Sequence, residues 1–226
     1  MKIIVFGATG MIGQAVVKEA IAASHIDAIM IVGRSAAHIA DPKANELIVN
    51  DLFNLSLIEE SLKGYDACVY CVGVSAAFMS EQTYIRLTHD LTLSVAETVL
   101  RLNPQSTFVY VTGQGTDSSE VGNSMWARVK GKTENALLKM SFKAAYMFRP
   151  GAILPMDGIR SKTKLYDALY VILAPLVGII RKINTAWIPT TCDMGQAMLK
   201  VADGNFSKKI LNNKDIVDLA ASSTQK

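Results

Sequence analysis

The chain opens with Lys2-Ile3-Ile4-Val5-Phe6-Gly7-Ala8-Thr9-Gly10-Met11-Ile12-Gly13, an apolar run that breaks into three regularly spaced glycines. The β-branched and aromatic residues at 2–6 predict a buried parallel strand. Ile12, Val16 and Ala20 then recur at helical spacing, which predicts a helix immediately afterwards. The glycines therefore lie at a strand-to-helix turn.

Each glycine of this turn has a separate mechanical role. Gly7 can make the tight turn off the strand, Gly10 lets backbone amides approach a pyrophosphate, and Gly13 lets the helix pack closely on the sheet. The helix N-terminus adds unpaired N–H groups and about half a positive charge. The turn therefore predicts a dinucleotide-binding site. The residues assigned to it are Gly7, Thr9, Gly10, Met11, Ile12 and Gly13.

Length and composition exclude several other classes of protein. The 226 residues fit one α/β domain spanning 1–226, and the net charge of +3 without a run of Lys and Arg argues against nucleic-acid binding. Three cysteines are too few for a disulfide framework and indicate a reducing compartment. The longest uncharged run, 168–180, is shorter than the ~20 residues of a membrane-spanning helix. We therefore predict a cytoplasmic monomer or homodimer with no membrane or nucleic-acid partner.

Cys68-Val69-Tyr70-Cys71 has the CxxC spacing of some redox and metal sites. It falls in a predicted strand, however, where residues three apart point to opposite faces of the sheet. We therefore interpret both cysteines as buried small residues and predict no metal site.

The second predicted strand, 28–33, ends where the ribose of the dinucleotide would lie. An NAD-specific site usually places Asp or Glu about 20 residues after the glycine loop. Here the chain reads Gly33-Arg34-Ser35, and a guanidinium with a neighbouring hydroxyl can hold a 2′-phosphate. This favours NADP over NAD, with a solvated Arg34 as the alternative.

The Gly7-Ala8-Thr9-Gly10 sequence and the GxxGxxG spacing resemble the atypical and extended short-chain dehydrogenase/reductase (SDR) proteins, in particular small epimerase/dehydratase-like and NmrA-like members. The alternation of strands and helices predicts the matching fold, a doubly wound parallel sheet of about seven strands, the NAD(P)-binding Rossmann fold. The resemblance continues in unbroken order to about residue 153.

The resemblance implies further cofactor contacts. It places Asp51 and Leu52 beside the adenine, although Asp51 could also cap a helix running through Leu55 and Leu62. It also implies that a small-residue turn after the fourth strand passes the cofactor ribose and that an Arg-Pro-Gly turn lies along the nicotinamide. The residues concerned are Cys71, Val72, Gly73, Pro150 and Gly151.

Two catalytic positions of the SDR pattern differ in this chain. The Ser or Thr expected after the fifth strand has no clear counterpart, and Thr112, Gln114 or Thr116 could orient the substrate instead. The YxxxK pair, one helical turn apart, is here Trp126 and Lys130. The resemblance implies that Lys130 holds the nicotinamide ribose, whereas an indole cannot relay a proton.

The proton must then come from another group. Tyr84, Tyr110 or a water molecule could supply it, and the sequence does not select among them. From residue 154 to 187 the chain becomes apolar, which suits a small substrate-covering segment but also a helix packed on the core or at a dimer interface.

These observations favour an NADP-dependent SDR-type oxidoreductase or epimerase/dehydratase-like protein acting on an unidentified small molecule with a carbonyl or hydroxyl group. The alternative is a non-catalytic NADP-binding regulator that senses the redox state of the cofactor. This alternative is considered because the cofactor loop is intact while the catalytic tyrosine is absent.

Overall fold

The structure, a computed structural model, describes residues 1–159 and 188–222. Seven parallel strands form one sheet: β1 (Lys2–Phe6), β2 (Ala28–Gly33), β3 (Ala44–Ile48), β4 (Ala67–Tyr70), β5 (Thr107–Val111), β6 (Ala144–Phe148) and β7 (Ile210–Leu211). Their order across the sheet is β3-β2-β1-β4-β5-β6-β7. This confirms the predicted doubly wound Rossmann fold.

Helices cover both faces of the sheet. They are α1 (Met11–Ala22), α2 (Glu81–Ile85), α3 (Leu91–Leu102), α4 (Met125–Lys139), α5 (Thr191–Val201) and α6 (Asn213–Ala221). A 3₁₀ helix spans Ser56–Leu62, and a π-helical turn, Arg86–Asp90, joins α2 to α3.

Alternation along the strands divides the core into two layers. In β1, Ile3 and Val5 enter the layer that contains α1, α5 and α6, whereas Ile4 and Phe6 enter the layer that contains α3 and α4. All four side chains are fully buried, because helices cover the sheet on both sides.

The strand order reverses direction at β1. The chain runs outward through β2 and β3, then returns to place β4 on the other side of β1. Ligands of open α/β sheets bind outside the carboxyl ends of the strands at such a reversal. The fold therefore places a crevice where β1 meets α1 and where β4 ends.

Some predicted elements differ in detail. The helical stretch from α2 to α3 begins after the cap Ser80 and contains the π-helical turn. The helix predicted through Leu55 and Leu62 is a 3₁₀ helix, and Asp51 does not cap it, because Leu55 precedes its first residue. The fourth strand ends at Tyr70, so Cys71 and the residues after it form an irregular edge.

The chain rejoins the sheet after the apolar segment predicted over 154–187. Residues 160–187 of that segment lie outside the described residues, so its covering role stays a prediction. Leu154 pairs in parallel with Thr190, which then caps α5 in a capping box with Asp193.

Candidate functional site

The glycine loop makes the turn that its sequence predicts. Gly7 has φ +81°, and a Cβ there would lie 2.8 Å from the carbonyl carbon of Cys71. At Gly13 a Cβ would lie 2.2 Å from the Gly7 carbonyl oxygen. The tight turn at Gly7 is confirmed, and Gly13 does allow close packing. Its helix packs there on the backbone of the loop itself, at Gly7 and Ala8, rather than on the sheet.

The first turn of α1 is open to an anion. Gly10 is its N-cap, and no side chain caps the helix or places a carboxylate in its first turn. The amides of Met11, Ile12 and Gly13 thus belong to the unpaired donors that a helix N-terminus presents. A Cβ on Gly10 would meet only the Gly7 carbonyl oxygen, at 3.4 Å, so the space beside this backbone is free for a ligand.

A cavity of about 370 Å³ adjoins this loop. It brings together most of the residues predicted to bind cofactor, from the glycine loop and from the ends of β2 and β4. Those in its lining are Gly7, Thr9, Gly10, Met11, Arg34, Ser35, Leu52, Cys71, Val72 and Gly73. None of its described lining residues carries a carboxylate, so the lining suits a phosphorylated ligand.

A larger cavity, about 710 Å³, continues from this one and shares Arg34, Leu52 and Val72 with it. Asp51 lies in its wall, where its Oδ1 accepts a hydrogen bond of 2.9 Å from the amide of Phe53. The carboxylate therefore stabilises the turn after β3 instead of capping a helix.

The sequence interpretation missed two residues of the larger cavity. The guanidinium of Arg86 lies over the ring of Phe53, 5.6 Å from its centroid, and both line the cavity. An arginine on an exposed helix surface carries no sequence signal of such a position. The π-helical turn and the turn after β3 bring the two side chains together only in the folded chain.

Beyond β5, the predicted catalytic residue Thr112 contacts a buried carboxylate. Glu134 on α4 is fully buried and pairs with Arg149, which follows β6, through Nε at 3.0 Å. Thr112 donates its hydroxyl to the same carboxylate at 2.5 Å. This internal network uses the only hydroxyl hydrogen of Thr112, so its oxygen can still accept but not donate, and its role in orienting the substrate stays a prediction. No sequence periodicity predicted the Glu134–Arg149 pair.

Lys130 lies one turn before Glu134 on the same helix, and its Nζ donates to the carbonyl oxygen of Thr112 at 2.7 Å. Burial lowers the pKa of Lys130 to about 8, while the negative charge of Glu134 opposes this shift. A part-buried amine is thus held at the carboxyl end of β5, on the edge of the sheet where the glycine loop lies.

Trp126 is part-buried and its indole lies against the loop after β5. A Cβ on Gly115 would be 3.4 Å from Cη2 of the indole, and Gly115 itself has φ +90°. Thr116 uses its hydroxyl to bond the Gly113 carbonyl oxygen at 2.7 Å. Of the three predicted substrate-orienting residues, Gln114 alone keeps an exposed side chain.

The turn after β6 is joined to this loop. The amide of Gln114 bonds the Pro150 carbonyl oxygen at 2.8 Å, and the amide of Gly151 bonds Oδ1 of Asn213 at 2.8 Å. A Cβ on Gly151 would lie 2.4 Å from Oε1 of Gln114. Pro150 and Gly151 thus stand next to the Lys130 region and outside the lining of the two cavities described above.

The two tyrosines proposed as proton sources lie in the core. Tyr84 is 1% exposed and Tyr110 is 2% exposed. Burial raises the pKa of both phenols. Neither tyrosine lines the two cavities described above, and their burial argues against both as proton sources.

The two cysteines of the CxxC sequence lie in opposite layers as predicted, although Cys71 follows the end of β4 and is only part-buried. Cys68 packs in the layer with α3 and α4, whereas Cys71 packs against the layer with α1, and burial raises the pKa of Cys71 to about 12. Within residues 1–159 and 188–222, no group of three or more His, Cys, Asp or Glu side chains is placed to hold a metal ion. In the same residues no helix is both long and apolar enough to cross a membrane.

Comparison with known proteins agrees with this geometry. A family model described as NAD(P)H-binding matches residues 7–152, which begin at the first glycine of the loop. The chain belongs to this NAD(P)H-binding family. The matched region includes both cavities, Trp126, Lys130 and the turn after β6.

Solved structures show the same fold. An oxidoreductase of the short-chain dehydrogenase/reductase family from Burkholderia thailandensis superposes with a TM-score of 0.69 at 17% identity, over 96% of this chain and 92% of that one. Gre2 from Candida albicans, solved with NADPH, gives a TM-score of 0.67 at 14% identity, over 94% and 77%. The chain thus has the fold of these two proteins.

Two named relatives have low sequence identity to this chain. Protein fmp52-2, mitochondrial, from Aspergillus terreus is 25% identical over 167 residues, 73% of this chain and 72% of the relative. Protein HTATIP2 from Rattus norvegicus is 23% identical over 154 residues, 67% of this chain and 62% of the relative. Their names state no substrate.

The fungal names contradict the predicted cytoplasmic location. Protein FMP52 from Candida glabrata, 25% identical over 67% of this chain and 63% of its own length, is also named mitochondrial. The prediction rested on the few cysteines and on the short length of the longest uncharged run. A low cysteine count argues only against an oxidising compartment. It does not distinguish one reducing compartment from another.

Proposed function

We propose that this protein is an NADP-dependent oxidoreductase of the SDR type, or an epimerase/dehydratase-like relative, acting on a small molecule with a carbonyl or hydroxyl group. The observation that carries this proposal is the continuous crevice at one edge of the sheet. It joins the open N-terminus of α1 to Arg34 and Ser35, with no carboxylate in the described lining of the smaller cavity.

The proposed cofactor contacts follow from this crevice. The amides at the start of α1 would hold the pyrophosphate, since they are unpaired donors at the positive end of a helix. Arg34 and Ser35 would hold the 2′-phosphate, and Asp51 and Leu52 would lie beside the adenine. When bound, the nicotinamide supplies or accepts a hydride.

The catalytic end of the proposed site is centred on Lys130. Its amine stands beside the turn after β6, where Pro150 and Gly151 would border the nicotinamide, and it would hold the nicotinamide ribose. Trp126 would take the position of the usual tyrosine, with its indole forming a flat wall for the substrate. Gln114 would orient the substrate oxygen, because its amide side chain is exposed beside Gly151.

Calorimetry with NADPH and NADH tests the cofactor. Removing a hydrogen bond to a charged group costs about 1.5–3 kcal/mol, so Arg34→Ala should weaken NADPH binding about 10-fold or more. Binding of NADH should stay within about twofold, since it lacks the 2′-phosphate. Arg101→Ala is the matched control, because Arg101 pairs with Glu59 at the far end of α3. Equal affinity of the wild type for both cofactors would contradict the NADP assignment.

Turnover is tested by incubating the NADPH complex with a panel of aldehydes and ketones while nicotinamide absorbance is followed. Measurable turnover supports an enzyme that works without the usual tyrosine. A net charge of +3 with no basic run supports a small-molecule partner, and we propose a monomer or homodimer, which light scattering distinguishes.

A second candidate is a non-catalytic NADP-binding regulator. It is favoured by the engaged hydroxyl of Thr112 and by the burial of Tyr84 and Tyr110. Trp126→Tyr separates the two functions. If the site is otherwise assembled, this variant should gain or raise reductase activity. Unchanged cofactor binding with no activity would favour the regulator.

A further inference from the structure

The Lys130 side chain is part-buried, and most of the hydrogen-bonding capacity of its ammonium is unused. An ammonium has three N–H donors. Within the part of the chain that the structure describes, Nζ has one acceptor, the Thr112 carbonyl oxygen at 2.7 Å. The remaining donors are available to ligands at the carboxyl end of β5.

The nearest carboxylate does not neutralise this amine directly. Glu134 accepts hydrogen bonds from Arg149 Nε, at 3.0 and 3.1 Å, and from the Thr112 hydroxyl. Its charge is thus balanced by a guanidinium instead of the Lys130 ammonium. Glu134 still favours the charged form of Lys130 at a distance, but burial outweighs it.

Two pairs of polar or charged side chains lie on α4 and the elements packed against it. Arg128 on α4 bonds Glu81 on α2 at 3.0 Å, and His89 bonds Asp90 in the π-helical turn at 2.9 Å. Glu134 is the charge that acts on the pKa of Lys130. The amine is therefore governed by burial and by one carboxylate on its own helix.

A lysine in this setting has a pKa of about 8, close to neutral pH. General acid–base catalysis is most efficient when the pKa of the group lies near the working pH. The hydroxyls around it are engaged elsewhere: Thr112 with Glu134, Thr116 with Gly113, and Ser118 with Arg149. Among the described residues named here, Lys130 is the titratable group whose N–H donors are not all used in hydrogen bonds within the protein.

We propose that the Nζ of Lys130 is itself the acid and base of the reaction, giving a proton to the substrate oxygen and taking it back in the reverse direction. This rests on the function proposed above. During reduction of a carbonyl, an N–H bond of the ammonium breaks and an O–H bond forms on the substrate. The carbonyl carbon gains two electrons with the hydride from the reduced nicotinamide dinucleotide, and the neutral amine then takes a proton from water.

The first test measures the titration of Lys130 without any turnover. The lysines are dimethylated with ¹³C-formaldehyde, and the resonance absent from Lys130→Arg is followed against pH by NMR. It should titrate near pH 8, well below the value of about 10.4 that a lysine in a model peptide has. A Lys130 pKa above 10 would overturn the proposal.

The second test separates cofactor binding from proton transfer. Lys130→Arg keeps a positive charge but cannot release a proton at working pH, so NADPH affinity should fall by less than about 10-fold while kcat falls about 10²–10⁴-fold. Wild-type kcat for reduction should decline above pH 8, because the acid must be protonated. Lys132→Arg should match the wild type in both measurements.

Three outcomes count against different claims. Unchanged kcat in Lys130→Arg overturns the acid–base role and leaves the cofactor assignment intact. Tyr166→Phe or Tyr170→Phe could abolish turnover while leaving the decline of the residual kcat above pH 8 unchanged. This result would place the acid in the segment outside the described residues and would also overturn the acid–base role of Lys130. Failure of the wild type to bind NADPH refutes the proposed function itself.

Discussion

The glycine loop allows the fold and the binding site to be perturbed separately. Gly13→Ala should damage the fold. A Cβ at Gly13 would lie 2.2 Å from the oxygen and 2.7 Å from the carbonyl carbon of Gly7, and 2.8 Å from the Cα of Ala8. Ordinary carbon contacts are about 3.5–4.0 Å. All three atoms belong to the backbone, so no flexible side chain can move aside.

The magnitude follows from the cost of overpacking. Extra methyl groups in a packed region cost about 1–3 kcal/mol, and more where the backbone cannot shift. We therefore expect Gly13→Ala to lose about 3 kcal/mol of unfolding free energy. In a domain of this size, 1 kcal/mol corresponds to about 2–4 °C, so Tm should fall by about 6–12 °C.

Gly10→Ala is the matched comparison. A Cβ there meets only the Gly7 oxygen at 3.4 Å, and the backbone angles of φ −84° and ψ 164° suit alanine. The loss of N-cap preference and the stiffer unfolded chain largely cancel. Stability should change by no more than about 1 kcal/mol, while NADPH affinity falls about 10-fold or more because the methyl group occupies the pyrophosphate position.

Differential scanning calorimetry and NADPH titration measure both variants. The expected pattern is a large Tm loss for Gly13→Ala, and a small Tm change with weak binding for Gly10→Ala. The reasoning is refuted if Gly13→Ala melts within 2 °C of the wild type, or if Gly10→Ala binds NADPH as the wild type does.

Three further outcomes are expected. Glu134→Ala should lose about 3–5 kcal/mol in urea unfolding, because it leaves Arg149 as an uncompensated, mostly buried charge, and a loss below 1 kcal/mol would contradict the role given to this pair. Thr190→Ala should lose about 0.5–2 kcal/mol in the same assay, since it removes the cap that the capping box with Asp193 provides; Lys132→Ala on an exposed surface controls for it. Because burial lowers the folded-state pKa of Lys130 to about 8, the unfolded chain binds more protons between pH 8 and its ordinary value of about 10.4. The wild type should therefore gain stability relative to Lys130→Met as pH rises through that window, and a pH-independent difference would show that the amine has an ordinary pKa.

The sequence predicted the sheet and the cofactor loop because both depend on local patterns. The apolar strand at 2–6 must be covered by other elements on both of its faces, whatever the rest of the chain does. Gly7 adopts a backbone conformation that few other residues tolerate. Helix details were less predictable. The segment predicted as a helix through Leu55 and Leu62 forms a 3₁₀ helix instead. In so short a segment, local packing decides between the α-helical and the 3₁₀ conformation.

The catalytic end of the site was predicted only in part. Sequence spacing placed Trp126 and Lys130 on one helix, and Lys130 does reach the carboxyl end of β5. The hydroxyl of Thr112, however, is engaged by Glu134, and Tyr84 and Tyr110 are buried. Which hydroxyls remain free depends on contacts between residues far apart in the chain, and no periodicity records those contacts.

By itself, the sequence determined the Rossmann fold, the position of the glycine loop and the absence of an acidic residue after β2. These features follow from side-chain alternation, backbone freedom and charge, which act within a few residues. Tertiary structure alone decided the Glu134–Arg149 pair and the environment of the Lys130 amine. Burial and pairing are properties of the packed chain, and the pKa of a lysine follows from them rather than from its place in a motif.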